Sequence, residues 1–174
     1  MKKRLFMIFA SIILSVGICG CANKSEDNEK EAQSTQQQKT KDMVADISSK
    51  LTVPEMIGNG SKDDVSKDQT PEDVFTYLCD IDYDKIDEFY ISYASDSTAE
   101  EVFLIRLKDK SDVDMAKEEL QARVERRKYQ FQVYKPEEVS KFDDAKVESK
   151  GNYVLLIVNS NPDAGISEFK KIVK

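Results

Sequence analysis

The sequence reads as an α+β domain: a four-stranded, mainly antiparallel sheet built from two hairpins, with helices packed on one face. This gives a ββαββα core preceded by N-terminal helices. Two observations lead there. Strand-like runs come in two pairs, residues 89–94 with 102–107 and residues 145–150 with 153–158. An apolar stripe of helical period follows each pair. Pairs of strands followed by helices belong to the α+β class, in which helices cover an antiparallel sheet.

The elements follow in chain order. Lys2, Lys3 and Arg4 precede an apolar run from Leu5 to Ile18, which ends in Gly20-Cys21. The run is shorter than the roughly 20 residues of a spanning helix, and its basic front and small terminal residue fit a secretory signal. The cysteine makes it a lipoprotein signal. Residues 1–20 are expected to be removed, and Cys21 is expected to carry a thioether-linked diacylglycerol. Cys19 departs from the small residue usual at that place. Two acyl chains, at about 0.8 kcal/mol per buried methylene, anchor a protein far more firmly than one. An uncleaved anchor helix is the alternative, disfavoured by its length. Either way, the rest of the chain is expected on the extracytoplasmic face of the cell membrane.

Residues 21–41 hold the lipidated cysteine and a tether rich in Gln, Ser, Lys and Glu, a composition that cannot build a core. Residues 42–174 form the single expected domain. Met43, Val44, Ile47 and Leu51 give a short amphipathic helix ending before Pro54. Residues 58–69 read as an exposed loop. Thr70-Pro71-Glu72-Asp73 opens a second helix with a hydroxyl cap, proline in the first turn and acids near the positive dipole end. Val74, Phe75 and Leu78 form its buried face.

Phe89, Ile91 and Tyr93 alternate with Tyr90, Ser92 and Ala94, which suits a strand with one buried face. Residues 102–107 are apolar on both sides except at Arg106, the mark of an inner strand. The longest helix follows, with Ser111 as cap, Asp114 closing the box, and Val113, Ala116, Leu120, Val124 and Phe131 inward. A short helix from Tyr134-Lys135-Pro136 buries Val139 and Phe142. Gly151-Asn152 joins the second strand pair through a type II′ turn. Asn161-Pro162-Asp163 caps a final helix with Ile166, Phe169, Ile172 and Val173 inward.

Composition narrows the chemistry. The full chain has 26 basic and 33 acidic residues; removal of Lys2, Lys3 and Arg4 leaves 23 basic ones and a net charge of −10. That balance argues against nucleic acid and against a polybasic grip on anionic lipid. The chain has no histidine, which excludes histidine triads and histidine metal sites. No glycine-rich phosphate loop is present, since Gly58-Asn59-Gly60 lacks a third glycine and a preceding strand. Cys79 is the one cysteine left in the domain and reads as a small buried hydrophobe beside Leu78 and Ile81.

Four constellations invite a functional reading. Asp80, Asp82 and Asp84 alternate like the start of a calcium loop, but Lys85 and Ile91 stand where glycine and a carboxylate are needed. Glu100-Glu101, Glu118-Glu119 and Glu137-Glu138 are sequence neighbours that do not face one another, so all six read as solubilising or capping charges. Ser167-Glu168-Phe169-Lys170 matches Ser-x-x-Lys without the companion signatures of that enzyme class. Arg123, Arg126, Arg127 and Lys128 cluster late in the long helix, where Glu119 is placed to pair with Arg123. Favourable charge near a helix C-terminus accounts for most of this cluster. Arg123 and Arg127, with Tyr134 beside them, remain the candidate binding face.

Several segments resemble a clostridial-type cell-surface lipoprotein family of Firmicutes, catalogued only as a domain of unknown function, number forty-three fifty-eight. They are Glu101-Val102-Phe103-Leu104-Ile105, Lys110 to Asp112, the helix carrying Arg123, Tyr134-Lys135-Pro136-Glu137 and Gly151-Asn152-Tyr153-Val154-Leu155-Leu156. The resemblance implies location and fold, and an accessory role beside an envelope O-acyltransferase system. No cofactor or metal is expected. The expectation is therefore a lipid-anchored, non-catalytic binding or accessory module with an envelope protein as partner. The alternative is an envelope hydrolase or transferase using carboxylates or a Ser-Lys pair. A solute-binding lipoprotein is disfavoured because one small domain lacks two closing lobes.

Overall fold

The computed structural model describes residues 38–60 and 65–174. The signal segment, Cys21 and the tether up to residue 37 lie outside the described residues, as do residues 61–64 of the expected loop. Ten elements follow in order: α1 (Thr40–Ser48), β1 (Met56–Asn59), α2 (Pro71–Leu78), β2 (Ile86–Ala94), β3 (Glu101–Leu107), α3 (Val113–Tyr134), α4 (Ser140–Asp143), β4 (Lys146–Lys150), β5 (Tyr153–Val158) and α5 (Asp163–Ile172). The first helix thus begins inside the segment expected to be tether. Its Thr40 is wholly buried, and the Thr40 N–H donates to the Glu88 carboxylate at 3.0 Å.

The strands make one open antiparallel sheet in the order β1-β2-β3-β5-β4. Both expected hairpins are present, and their inner strands β3 and β5 lie side by side. The sheet has five strands, not four. Residues 56–59 fall partly in the stretch read as loop, because Gly58 and Asn59 are turn-forming residues. They pair as an edge strand here because glycine lets Tyr90 of β2 lie over the backbone. A Cβ at Gly58 would sit 2.1 Å from the Tyr90 hydroxyl oxygen.

Helices cover both faces of the sheet, which corrects the expectation of one covered face. On one side, Val74 and Phe75 of α2, Ala116, Leu120 and Val124 of α3, and Phe142 of α4 pack on Phe89, Ile91, Phe103, Ile105, Val154 and Leu156. On the other, Met43, Val44 and Ile47 of α1 and Ile166 and Phe169 of α5 pack on Tyr90, Val102, Leu104, Leu155 and Ile157. The physical reason lies in β3 and β5, whose successive side chains point to opposite faces. Every residue of Tyr153–Val158 is buried, so each face must be covered. Tyr90, Ser92 and Ala94 of β2 are buried for the same reason.

Helix ends show where local chemistry was decisive. Thr70 accepts from the Asp73 N–H while the Asp73 carboxylate accepts from the Thr70 N–H, a complete capping box. Ser111 does not cap α3. Asp109 caps a preceding 3-10 turn by accepting from the Ser111 N–H at 2.8 Å, and α3 continues from that turn without a side-chain cap. Asn161 likewise does not cap α5; its N–H donates to the buried Asn159 side chain. At the second hairpin, Gly151 has φ +64°, and Asn152 stays out of the left-handed region, as a type II′ turn requires.

Candidate functional site

Strand register places the site. Ile57, Tyr93, Glu101 and Val158 form one cross-strand row, and Asn59, Ile91, Phe103 and Leu156 form the next row on the same face. Two helices stand over this end of the sheet. α2 contributes Val74, Tyr77 and Leu78, and α3 contributes Arg123 and Arg127; spacings of three and four residues put each set on one helix face. Between the helices and the two rows lies a cleft of about 350 Å³. Val74, Leu78 and Ile91 supply apolar lining; Asn59, Gln69, Tyr93, Glu101 and the two arginines supply polar groups. A second depression of about 330 Å³, lined in part by Arg126 and Gln130, shares Tyr77, Leu78, Arg123 and Arg127 with it.

Glu101 is the electrostatic centre. Its side chain is 1% exposed. Arg123 grips both carboxylate oxygens, Nε to Oε1 at 2.9 Å and Nη2 to Oε2 at 2.9 Å, and Arg127 Nη1 reaches Oε2 at 2.6 Å. Burial alone would raise the pKa of this carboxyl. The charges of Arg127 and Arg123 and the Arg123 hydrogen bond outweigh burial and hold it below the ordinary carboxylate range. Arg123 spends its remaining reach on the Leu78 carbonyl at 2.7 Å, which ties α3 to the end of α2. Its guanidinium carbon lies 5.7 Å from the Phe103 ring centroid.

Arg127 is used less completely. Nη1 is committed to Glu101, and the guanidinium lies over Phe131 and Phe142 at 5.4 and 5.5 Å. Its Nε–Nη2 edge has no hydrogen-bond partner among the described residues. Nor does the buried Oδ1 of Asn59. A buried acceptor left without a donor costs about 1–3 kcal/mol. Two guanidinium charges against one carboxylate leave an excess of one positive charge.

Of the three residues proposed from sequence, Arg123 and Arg127 line the cleft together. Tyr134 does not; it is 82% exposed at the end of α3, about two turns beyond Arg127. Arg126 takes Glu119 as its partner, in place of the expected Glu119–Arg123 pair, and Lys128 pairs with Asp143. Glu101 is the chief residue missed. Adjacency to Glu100 marks it as a solubilising or capping charge, yet residues 101, 103, 105 and 107 alternate onto one buried face, and that period carries the signal. Glu100 and Glu138 are also engaged, both paired with Lys141, whereas Glu118 and Glu137 are exposed. Tyr77 could have been found from its position three residues after Val74; Asn59 gave no signal.

The other candidates resolve into structure. Cys79 is buried, and burial reinforced by the Glu119 charge pushes its thiol up to about 12. Asp82 accepts from the Asp84 N–H within a turn, and no group of three or more acidic, Cys or His side chains among the described residues could hold a metal ion. Ser167 is exposed and its hydroxyl donates to the Asp163 carbonyl, while Lys170 pairs with Glu148. No helix among the described residues is long and apolar enough to cross a membrane.

A family model, domain of unknown function DUF4358, matches residues 59–159, more than half of the chain. The chain belongs to the DUF4358 family. The DUF4358 match starts at Asn59 and ends just past β5, so it spans every cleft residue named above and leaves α1 and α5 outside. No curated protein and no solved structure matches the chain.

Proposed function

We propose that this DUF4358 chain is a membrane-anchored, extracytoplasmic lipoprotein whose domain is a non-catalytic binding module of the cell envelope, with a protein as its partner. The observation that carries the binding half is the cleft. It is concave and already formed, with apolar lining and a few convergent polar groups, as ligand sites generally are. Its carboxylate is ionised and neutralised by two arginines, so its chemistry suits holding a group better than transferring a proton. The basic start, apolar run and Gly20-Cys21 ending support the anchor. An envelope O-acyltransferase system is the partner that the sequence resemblance suggests.

Two measurements test this reading. Cells fed labelled palmitate should label the protein, and Cys21→Ser should abolish the label; a label unchanged by that substitution overturns the anchor. A photocrosslinking residue at Tyr77, which lines the cleft and is 90% exposed, should capture an envelope protein in intact cells. The same residue at exposed Tyr129 serves as the control. Equal capture from both positions, or none from Tyr77, overturns the binding module.

A further inference from the structure

Tyr134, which the cleft leaves out, belongs to a second surface. Five large hydrophobic side chains are exposed among the described residues. Three of them, Tyr129 (71%), Val133 (69%) and Tyr134 (82%), stand in the last two turns of α3. These three span about 140° of the helix surface, while Leu120 and Val124 of the same helix face the core. The stretch from Tyr129 to Tyr134 carries no charge, in a chain that is 34% charged. Its surroundings in sequence are basic. Residues 126–135 hold Arg126, Arg127, Lys128 and Lys135 and no acid, although the expected mature chain has a net charge of −10. An exposed apolar patch with a polar rim marks a protein or membrane contact.

We infer that the last two turns of α3 rest on the lipid surface to which the chain is anchored, with Tyr129, Val133 and Tyr134 among the headgroups. This rests on the anchor half of the reading above and says which side of the domain meets the bilayer. Tyrosine suits that depth, having an apolar ring and a polar tip. Charge favours the same side, since anionic headgroups repel an acidic chain least where its basic residues gather. Those residues do not supply the grip. Arg126, Arg127 and Lys128 are already paired with Glu119, Glu101 and Asp143, and Lys135 donates to the Asp96 carbonyl at 3.0 Å. A protein hot spot sits in a well-packed pocket, whereas the three patch residues line neither depression beside Tyr77. The chain is also long enough. Thr40 lies beside Glu88 near the start of β2 and Lys135 beside Asp96 past its end, on the order of 25 Å apart along the strand. The sixteen residues from 22 to 37 can span up to about 55 Å when extended.

The chain has no tryptophan, so Tyr129→Trp sets a single reporter on the patch. Ser167→Trp sets one at an exposed position of α5, which packs on the opposite face of the sheet. Each full-length lipidated variant is reconstituted in vesicles of phosphatidylcholine and phosphatidylglycerol, with and without bromine on the acyl chains. Bromine should quench Tyr129→Trp by at least about half, since an interfacial helix face lies about 5–10 Å into the headgroup–acyl boundary. It should leave Ser167→Trp nearly unchanged. Adding Val133→Asp to Tyr129→Trp should abolish the quenching without moving the melting temperature, because residue 133 is exposed. Equal quenching at the two positions, no quenching at Tyr129→Trp, or quenching that survives Val133→Asp overturns the inference. So does capture of a protein, rather than lipid, by the photocrosslinking residue at Tyr129. Flotation with the vesicles reports the anchor separately: a chain that floats without quenching refutes the lipid contact alone, and one that does not float refutes both.

Discussion

Glu101 shows how one buried charge can organise a site. Removing a single partner from such a group leaves charge in a low-dielectric place and is strongly destabilising, while an exposed pair contributes little. The two arginines 123 and 126 provide the contrast within one helix. Arg123→Ala should lower stability by about 3–5 kcal/mol, because it frees Glu101 and unties the Leu78 carbonyl. Arg126→Ala, whose pair with Glu119 is 47% exposed on the arginine side, should change it by less than about 1 kcal/mol. Denaturant midpoints of the two variants check this, and equal losses would show that the buried pair is not special. The arginine spacing was readable from sequence, since residues 123 and 127 share a helix face. Local spacing points instead to Glu119 as the partner of Arg123, and only the strand-to-helix packing brings Glu101 under α3.

Among the elements, those whose signals are local were readable and those that depend on a neighbour were not. The Thr70 capping box, the Gly151-Asn152 turn and the α3 stripe each lie within a few residues of sequence. β1 does not. Its four residues carry no period, and it exists because Tyr90 reaches across from β2 to cover Gly58. Gly58→Ala puts a Cβ where the Tyr90 hydroxyl stands, 2.1 Å away, so the ring must move or the strand must lift. A loss of about 1–3 kcal/mol is expected from such overpacking, with amide exchange accelerating at residues 56–59 before it does in β3 or β5. Exchange that rises uniformly would mean that β1 is not held by this contact. The second covered face follows a related logic: apolar residues on both alternations of β3 and β5 demand two helical layers, and that demand is present in the sequence itself.

For the molecule as a whole, the absence of histidine and the direction of every resolved shift set one pH profile. Glu101 and Glu100 titrate below the ordinary value of 4.5 in the folded state; for each, burial opposes the shift and is outweighed, by Arg127 and Arg123 in one case and chiefly by Lys141 in the other. A depressed carboxyl contributes stability above its unfolded value and loses it as pH falls through the folded one, so stability should decline below about pH 4.5. At the other end, burial pushes the Cys79 thiol from 9.0 to about 12. An acid raised in this way stabilises the fold below its unfolded value, and the contribution is lost as pH rises from about 9 to 12. Lys141, which gains Glu100 and Glu138 against the opposing effect of burial, is raised above 10.5 and loses its contribution in the same alkaline region. The chain has no histidine, the side chain whose ordinary value falls between these limbs. Denaturant midpoints should therefore form a flat plateau from about pH 5 to pH 8.5, fall on both sides, and lose part of the alkaline fall in Cys79→Ala. A midpoint that slopes across the plateau, or an alkaline limb unchanged by Cys79→Ala, would contradict the burial and ion pairing from which the profile is built.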